Sequence, residues 1–90
     1  MQRLAVYPER ILVFGVKLKG RLDTLFLEGA LDYVKHHEEN LALEILCDHI
    51  CEYDVFLSGE EFDEVRLLIV DMGLDMNTAP FKYLEGMVRR

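Results

Sequence analysis

The sequence has no tryptophan, only two prolines and only six glycines among its 90 residues. All-β domains need many turn-forming residues, so this scarcity favours a helical fold. Long apolar runs are also missing: the best one near the N-terminus, residues 11–16, is too short for a signal peptide and far below the ~20 residues of a membrane span. The 51% apolar content excludes disorder. We expect a single domain, residues 1–90, located in the cytoplasm.

Basic residues are almost missing from the middle of the chain. Residues 38–75 contain twelve acidic residues and one basic residue, Arg66, whereas the flanking segments 1–37 and 76–90 each carry a net charge of +2. A surface that binds nucleic acid or an anionic membrane needs clustered basic groups. These two ligand classes are therefore excluded, and a basic protein is the expected partner.

The N-terminal part contains two helix candidates on either side of Gly20. Residues 8–19 fit either a helix or a strand, and we favour a helix because no second strand-like segment is present to pair with them. Asp23 is the expected N-cap of a second helix over residues 24–37. The predicted inward stripe of this helix is Leu22, Phe26, Ala30, Tyr33 and His37, with Val34 beside it.

The most regular apolar pattern lies in residues 40–53. The predicted core face of this helix is Ala42, Leu43, Leu46, Cys47 and Ile50. Glu44, Asp48 and Glu52 are four residues apart and so form one acidic ridge on the outer side of the helix. Like charges at this spacing weaken a helix by about 0.2–0.5 kcal/mol per pair, which points to another use for the ridge.

A capping box formed by Ser58 and Glu61 predicts the start of a further helix, which ends before Gly73. Its predicted inward residues are Phe62, Val65, Ile69 and Met72. A last short helix is expected near Pro80, with Phe81, Leu84 and Val88 on one side. The sequence thus predicts an all-α fold, a small bundle of four or five short helices.

Cys47, His49 and Cys51 form the one cluster typical of metal or thiol chemistry. A structural zinc site needs four ligands, and the sequence offers no second cysteine pair and no spaced histidine pair. Nearby acidic residues raise a thiol pKa, which disfavours a nucleophilic cysteine. Nucleotide-binding and hydrolase motifs are also missing. We therefore interpret the cysteines as core residues and expect no catalytic residue, metal or cofactor. A small enzyme or metal carrier built on this cluster is a hypothesis that ranks behind the two protein-binding hypotheses given below.

The acidic segment supplies the candidate partner-binding residues. A solvated surface is the simplest explanation of clustered charge, and a recognition surface for a basic protein is the alternative. Tyr53 and Phe56, in the turn between two acidic helices, are the candidate apolar anchors, although Phe56 would also fit the core. The full candidate set is Glu44, Asp48, Glu52, Tyr53, Asp54, Phe56, Glu60 and Glu64.

Three segments of the chain together carry a family resemblance. They are residues 40–54, NLALEILCDHICEYD; residues 58–62, SGEEF; and residues 72–74, MGL. In this order they resemble the MafI family of immunity proteins, small bacterial antitoxins that are encoded beside polymorphic secreted toxins. The preceding Gly20, Arg21 and Leu22 also fit, so the resemblance extends over about residues 20–75.

The resemblance implies a cytoplasmic protein that neutralises the toxic C-terminal domain of a cognate toxin, delivered by contact-dependent growth inhibition or a related system. Such toxin domains are often nucleases, with RNases common among them, and a nuclease that binds RNA needs a basic cleft. An acidic antitoxin is suited to filling that cleft. The alternative is a small acidic adaptor or regulatory subunit for another basic protein, and a small-molecule ligand is not expected.

Overall fold

The computed structural model describes residues 6–89 of the chain. The elements within them are α1 (Val6–Val16), α2 (Thr24–Lys35), α3 (Glu39–Glu52), α4 (Gly59–Asp71) and the 3₁₀-helix η1 (Phe81–Met87). This range contains no β-strand, so the predicted all-α fold is confirmed, and the ambiguous first segment is helical. None of these helices combines the length and the apolar character that crossing a bilayer requires.

Helix α3 lies at the centre of the bundle. It packs on α2, α1 and η1, whereas α4 packs on α1 and η1. The predicted core face of α3 is confirmed, because all five of its residues are fully buried: Ala42, Leu43, Leu46, Cys47 and Ile50. They belong to one hydrophobic cluster that receives side chains from every element.

The predicted inward stripe of α2 was wrong in part. Phe26 and Tyr33 remain 38% and 37% exposed, and His37 lies beyond the helix end with a φ of 61°. The buried residues of α2 are instead Leu27, Ala30 and Val34. The predicted start of the helix is confirmed, since the Asp23 carboxylate accepts a hydrogen bond from the Leu25 amide at 2.8 Å. Because α2 has apolar residues on several sides, its contacts with α1 and α3 decide which side is buried.

Helix α4 begins as its sequence predicts. The Ser58 hydroxyl accepts from the Glu61 amide at 3.0 Å, and the Glu61 carboxylate accepts from the Ser58 amide at 2.9 Å. Val65 and Ile69 are fully buried as predicted, and Leu68 joins them. The other two predicted inward residues, Phe62 and Met72, are half-buried against the core.

The C-terminal segment fastens the turn between α3 and α4. Phe81 and Leu84 of η1 are buried as predicted, whereas Val88 is half-buried and follows the end of η1. The Leu57 amide donates to the Met87 carbonyl at 2.9 Å, and Leu57 and Val88 form an isolated bridge. These contacts hold the turn that carries the candidate anchors.

Candidate partner-binding surface

The acidic ridge of α3 is exposed and free of ion pairs. Glu44, Asp48 and Glu52 all lie on the solvent side of the helix, as predicted. None of the three has a basic partner within residues 6–89 that satisfies ion-pair distance. Near the start of η1, the first two border a shallow depression that Pro80 also lines. The ridge therefore keeps its charge available to another molecule.

The acidic residues of α4 have a different environment, because α1 and the loop after it supply basic partners. Three ion pairs connect the two regions: Arg10–Asp71 at 3.0 Å, Lys17–Glu64 at 2.7 Å and Arg21–Glu61 at 2.8 Å. The hydrogen bond with Glu64 is the main cause of a raised Lys17 pKa. The candidate Glu64 is thus half-buried and paired, whereas the candidate Glu60 is exposed.

The α3 ridge and the α4 candidates border different elements. Glu44 and Asp48 lie beside the loop that leads into η1, and Glu64 lies against the C-terminal end of α1. In the part of the chain that the structure describes, all three positions of the α3 ridge are exposed and without an ion pair, whereas Glu64 on α4 is paired. We therefore place the centre of the candidate surface on α3 and its C-terminal turn, and treat Glu60 as peripheral to it.

Tyr53 and Phe56 both extend from the turn after α3. They are 46% and 45% exposed, so the alternative that places Phe56 in the core is wrong. Asp54, between them, has a φ of 53°, a left-handed conformation that aspartate tolerates better than most residues. The turn therefore presents two aromatic rings and one carboxylate next to the end of the acidic ridge.

The ring of Tyr53 is fixed by neighbours from α2 and α3. It stacks on Phe26 with the ring centroids 4.7 Å apart and the planes 12° apart. His49 lies against both rings, with its centroid 5.2 Å from that of Phe26. The sequence prediction missed Phe26 because it assigned this residue to the core, although Leu27, Ala30 and Val34 offered an equally regular stripe.

Two guanidinium groups lie close to the ring of Phe56. Arg21 and Arg89 approach its centroid to 4.9 and 5.9 Å, within the range of cation–π attraction. Arg21 also donates to the Phe56 carbonyl at 3.0 Å. Both candidate anchors are therefore ordered before any partner arrives, which lowers the entropy cost of binding.

The cysteine cluster behaves as part of the core. Cys47 is fully buried, and Cys51 is half-buried with its sulfur 3.7 Å from the Pro80 carbonyl. Burial raises the pKa of both thiols, which leaves them protonated and poorly nucleophilic at neutral pH. Residues 6–89 contain no group of three or more histidine, cysteine or acidic side chains placed to hold a metal ion.

Comparison of the chain with protein-family models, curated proteins and solved structures found no match.

The capping residue Glu61 has a second role, as the partner of Arg21. The two guanidinium nitrogens of Arg21 donate to the two carboxylate oxygens, each at 2.8 Å. These hydrogen bonds, helped by those of Ser58, lower the pKa of Glu61 from 4.5 to about 2. Because the folded pKa lies below the unfolded value, the ionised carboxylate stabilises the fold above about pH 5, and this stabilisation is lost as the pH falls towards 2.

We expect Glu61→Gln to lower the free energy of unfolding by about 2 kcal/mol at pH 7, allowing for solvent screening of the pair. Glutamine retains the geometry of the capping box, so the change removes mainly the charge. The difference from the wild type should shrink between about pH 5 and pH 3 in urea unfolding followed by circular dichroism. The neighbouring exposed Glu60→Gln is the matched control and should change stability by less than about 0.5 kcal/mol. Equal effects of the two substitutions at pH 7 would contradict the role of the Arg21 pair.

Proposed function

We propose that this protein is an immunity protein that binds and neutralises the toxic C-terminal domain of a cognate secreted or cell-surface bacterial toxin. The observation that carries the proposal is the exposed α3 ridge, which is free of ion pairs within residues 6–89 and runs directly into Tyr53. The resemblance of about residues 20–75 to MafI immunity proteins suggests a toxin as the partner.

A nuclease domain, with an RNase favoured, is the toxin chemistry that suits this surface best. Its substrate-binding cleft must carry lysine or arginine side chains that meet phosphates. Glu44, Asp48 and Glu52 follow one helix face at successive turns, so they present a row of carboxylates to such a cleft. Occupying the cleft with carboxylates excludes RNA from the same basic groups.

The turn that carries Tyr53 and Phe56 contributes apolar contacts to the proposed interface, which the charged ridge cannot provide. Charge complementarity chiefly accelerates association and orients the partners, whereas buried aromatic anchors slow dissociation. Tyr53 and Phe56 are each close to half exposed and are held by neighbouring side chains. We therefore assign the ridge to steering and the two rings to retention of the toxin.

The test is inhibition of the toxin domain encoded next to this protein. That domain and this protein are purified separately, and cleavage of RNA and growth of cells expressing the toxin are measured with and without this protein. We expect inhibition at equimolar ratio, survival of the cells, and an association rate that falls steeply as salt is raised.

A toxin domain of unrelated sequence from another locus is the control and should remain active. Absence of a neighbouring toxin gene, or full nuclease activity in the presence of excess protein, would overturn the proposal.

A further inference from the structure

Helices α1 and α4 pack on each other, and each carries two exposed apolar side chains, which together are named the α1/α4 strip. Val13 and Val16 of α1 are 55% and 50% exposed, and Leu67 and Val70 of α4 are 49% and 52% exposed. This α1/α4 strip lies on elements that do not carry the acidic ridge of α3. Exposed apolar side chains that cluster in this way mark interaction surfaces.

The groove has a basic side and an acidic side. Arg10 lies on α1 and Lys17 directly follows its last residue, and their partners Asp71 and Glu64 lie on α4, which makes the two helices antiparallel. All four side chains retain between 28% and 48% exposure, so they are accessible to further charges.

The strip is centred between these two ion pairs. Val13 is three residues after Arg10 on the same side of α1, and it is four residues before Lys17, which follows the helix end. Leu67 has the same spacing from Glu64 and Asp71 on α4.

We propose that the α1/α4 strip is the interface of a homodimer whose two-fold axis runs parallel to α1 and α4. This rotation places α1 of one subunit over α4 of the other at the same level. Arg10 then faces Asp71 of the partner subunit, and Lys17 faces Glu64 of the partner subunit. Val13 meets Leu67 of the partner subunit between them. Each subunit contributes the same patch to the interface, as an isologous contact requires.

The same two faces could also meet about a two-fold axis perpendicular to the helices. Electrostatic interactions favour the proposed axis over this alternative. In the proposed dimer each end of the interface holds two basic and two acidic groups in alternation, and every charge has opposite charges as neighbours. With the axis perpendicular to the helices, α1 would lie on α1 and Arg10 would face Lys17 of the partner subunit. Like charges would then meet at both ends, which opposes association. A second copy of this chain is therefore the occupant whose charges match the strip.

The dimer covers the candidate Glu64 but leaves the α3 ridge and its C-terminal turn accessible. The ridge lies on α3 and borders the loop before η1, whereas the strip lies on α1 and α4. The dimer thus presents two α3 ridges, and its formation does not depend on the proposed antitoxin role.

Sedimentation equilibrium across a range of concentrations tests the proposal. We expect the wild type to reach about 21 kDa, twice the chain mass of 10.5 kDa. Leu67→Asp should raise the dissociation constant about a hundredfold, because it buries a charge at the centre of the interface. A wild type that remains monomeric at submillimolar concentration, or a dimer that Leu67→Asp leaves unchanged, would overturn the proposal.

The matched control is Leu25→Asp on α2. Leu25 is 76% exposed and borders the groove between α1 and α2, on the other side of α1 from α4. This variant should dimerise as the wild type does, and both variants should retain the wild-type circular dichroism spectrum. Loss of the dimer in both variants alike would place the interface elsewhere.

The orientation is tested by exchanging the charges of one ion pair, with Lys17→Glu and Glu64→Lys in the same chain. The swapped chain should dimerise with itself, since the alternation of charges is restored in its own dimer. Mixed with the wild type, it should form less heterodimer than random pairing gives, because like charges then face each other. Random pairing, measured by native mass spectrometry with one of the two chains labelled with ¹⁵N so that their masses differ, would exclude the proposed axis.

Discussion

Reversing the charge of the α3 ridge, by Glu44→Lys, Asp48→Lys and Glu52→Lys together, is expected to weaken binding of the proposed partner, a basic toxin domain, at least about a hundredfold at low salt. The three side chains are exposed and free of ion pairs within residues 6–89, so their replacement removes no intramolecular contact of that kind. Lysine is a good helix former, and the fold should be retained. Attraction to the cleft becomes repulsion, and the loss should appear mainly in the association rate.

Stopped-flow association at low and high salt measures this effect. The matched control carries the same change of net charge at three exposed acidic residues elsewhere, Glu28→Lys, Asp63→Lys and Glu85→Lys. The control should bind within a few-fold of the wild type. If both triple variants bind equally weakly, then total charge rather than the ridge controls recognition, and the ridge is a solvated face.

The second large effect is expected in the core, for Leu46→Ala. Leu46 is fully buried on α3, the helix that packs on α2, α1 and η1. Removing a buried leucine side chain costs about 2–5 kcal/mol, because the cavity is only partly refilled. A domain of this size has a total stability on the order of 5–13 kcal/mol, so the variant loses a large fraction of it.

Thermal and urea unfolding followed by circular dichroism measure the loss. The midpoint temperature should fall by roughly 10 °C or more for a domain of this length. Leu25→Ala, at a position that is 76% exposed, is the matched control and should change the unfolding free energy by less than about 0.5 kcal/mol. A loss below about 1 kcal/mol for Leu46→Ala would show that α3 is not the centre of a close-packed core.

Features that depend on short stretches of sequence could be predicted. The core face of α3 followed from its periodicity, because one side of that helix is apolar and the opposite side carries the acidic ridge. The start of α4 followed from Ser58 and Glu61, which satisfy each other across a single turn. Both predictions are confirmed because local chemistry alone determines them.

The buried side of α2 could not be chosen in the same way. The helix has leucine or aromatic residues on several sides, and more than one stripe satisfies the helical period. Contacts from distant residues decide between them. Phe26 stacks on Tyr53 at the edge of the bundle, and the half-buried Leu31 approaches Gly15 so closely that an added methyl group would lie 2.9 Å from it.

The sequence also did not indicate which individual acidic residues form ion pairs. The composition of residues 38–75 shows an excess of acidic groups but not which of them are paired. The pairs Arg10–Asp71 and Lys17–Glu64 join residues 61 and 47 positions apart. They depend on the antiparallel packing of α1 on α4, which only the tertiary structure specifies. For this reason the sequence alone could not distinguish the paired carboxylate of Glu64 from the carboxylates of the α3 ridge.

Paired and unpaired carboxylates differ in how readily they can be substituted during evolution. Each ion pair between α1 and α4 joins two residues, so a substitution at one of them leaves the charge of the other without its partner. The α3 ridge has no such partners within residues 6–89, and its positions are free to accept new side chains at little cost in stability. Substitutions on this one face of α3 can therefore adapt the surface to a binding partner whose own sequence changes, while the rest of the fold stays the same.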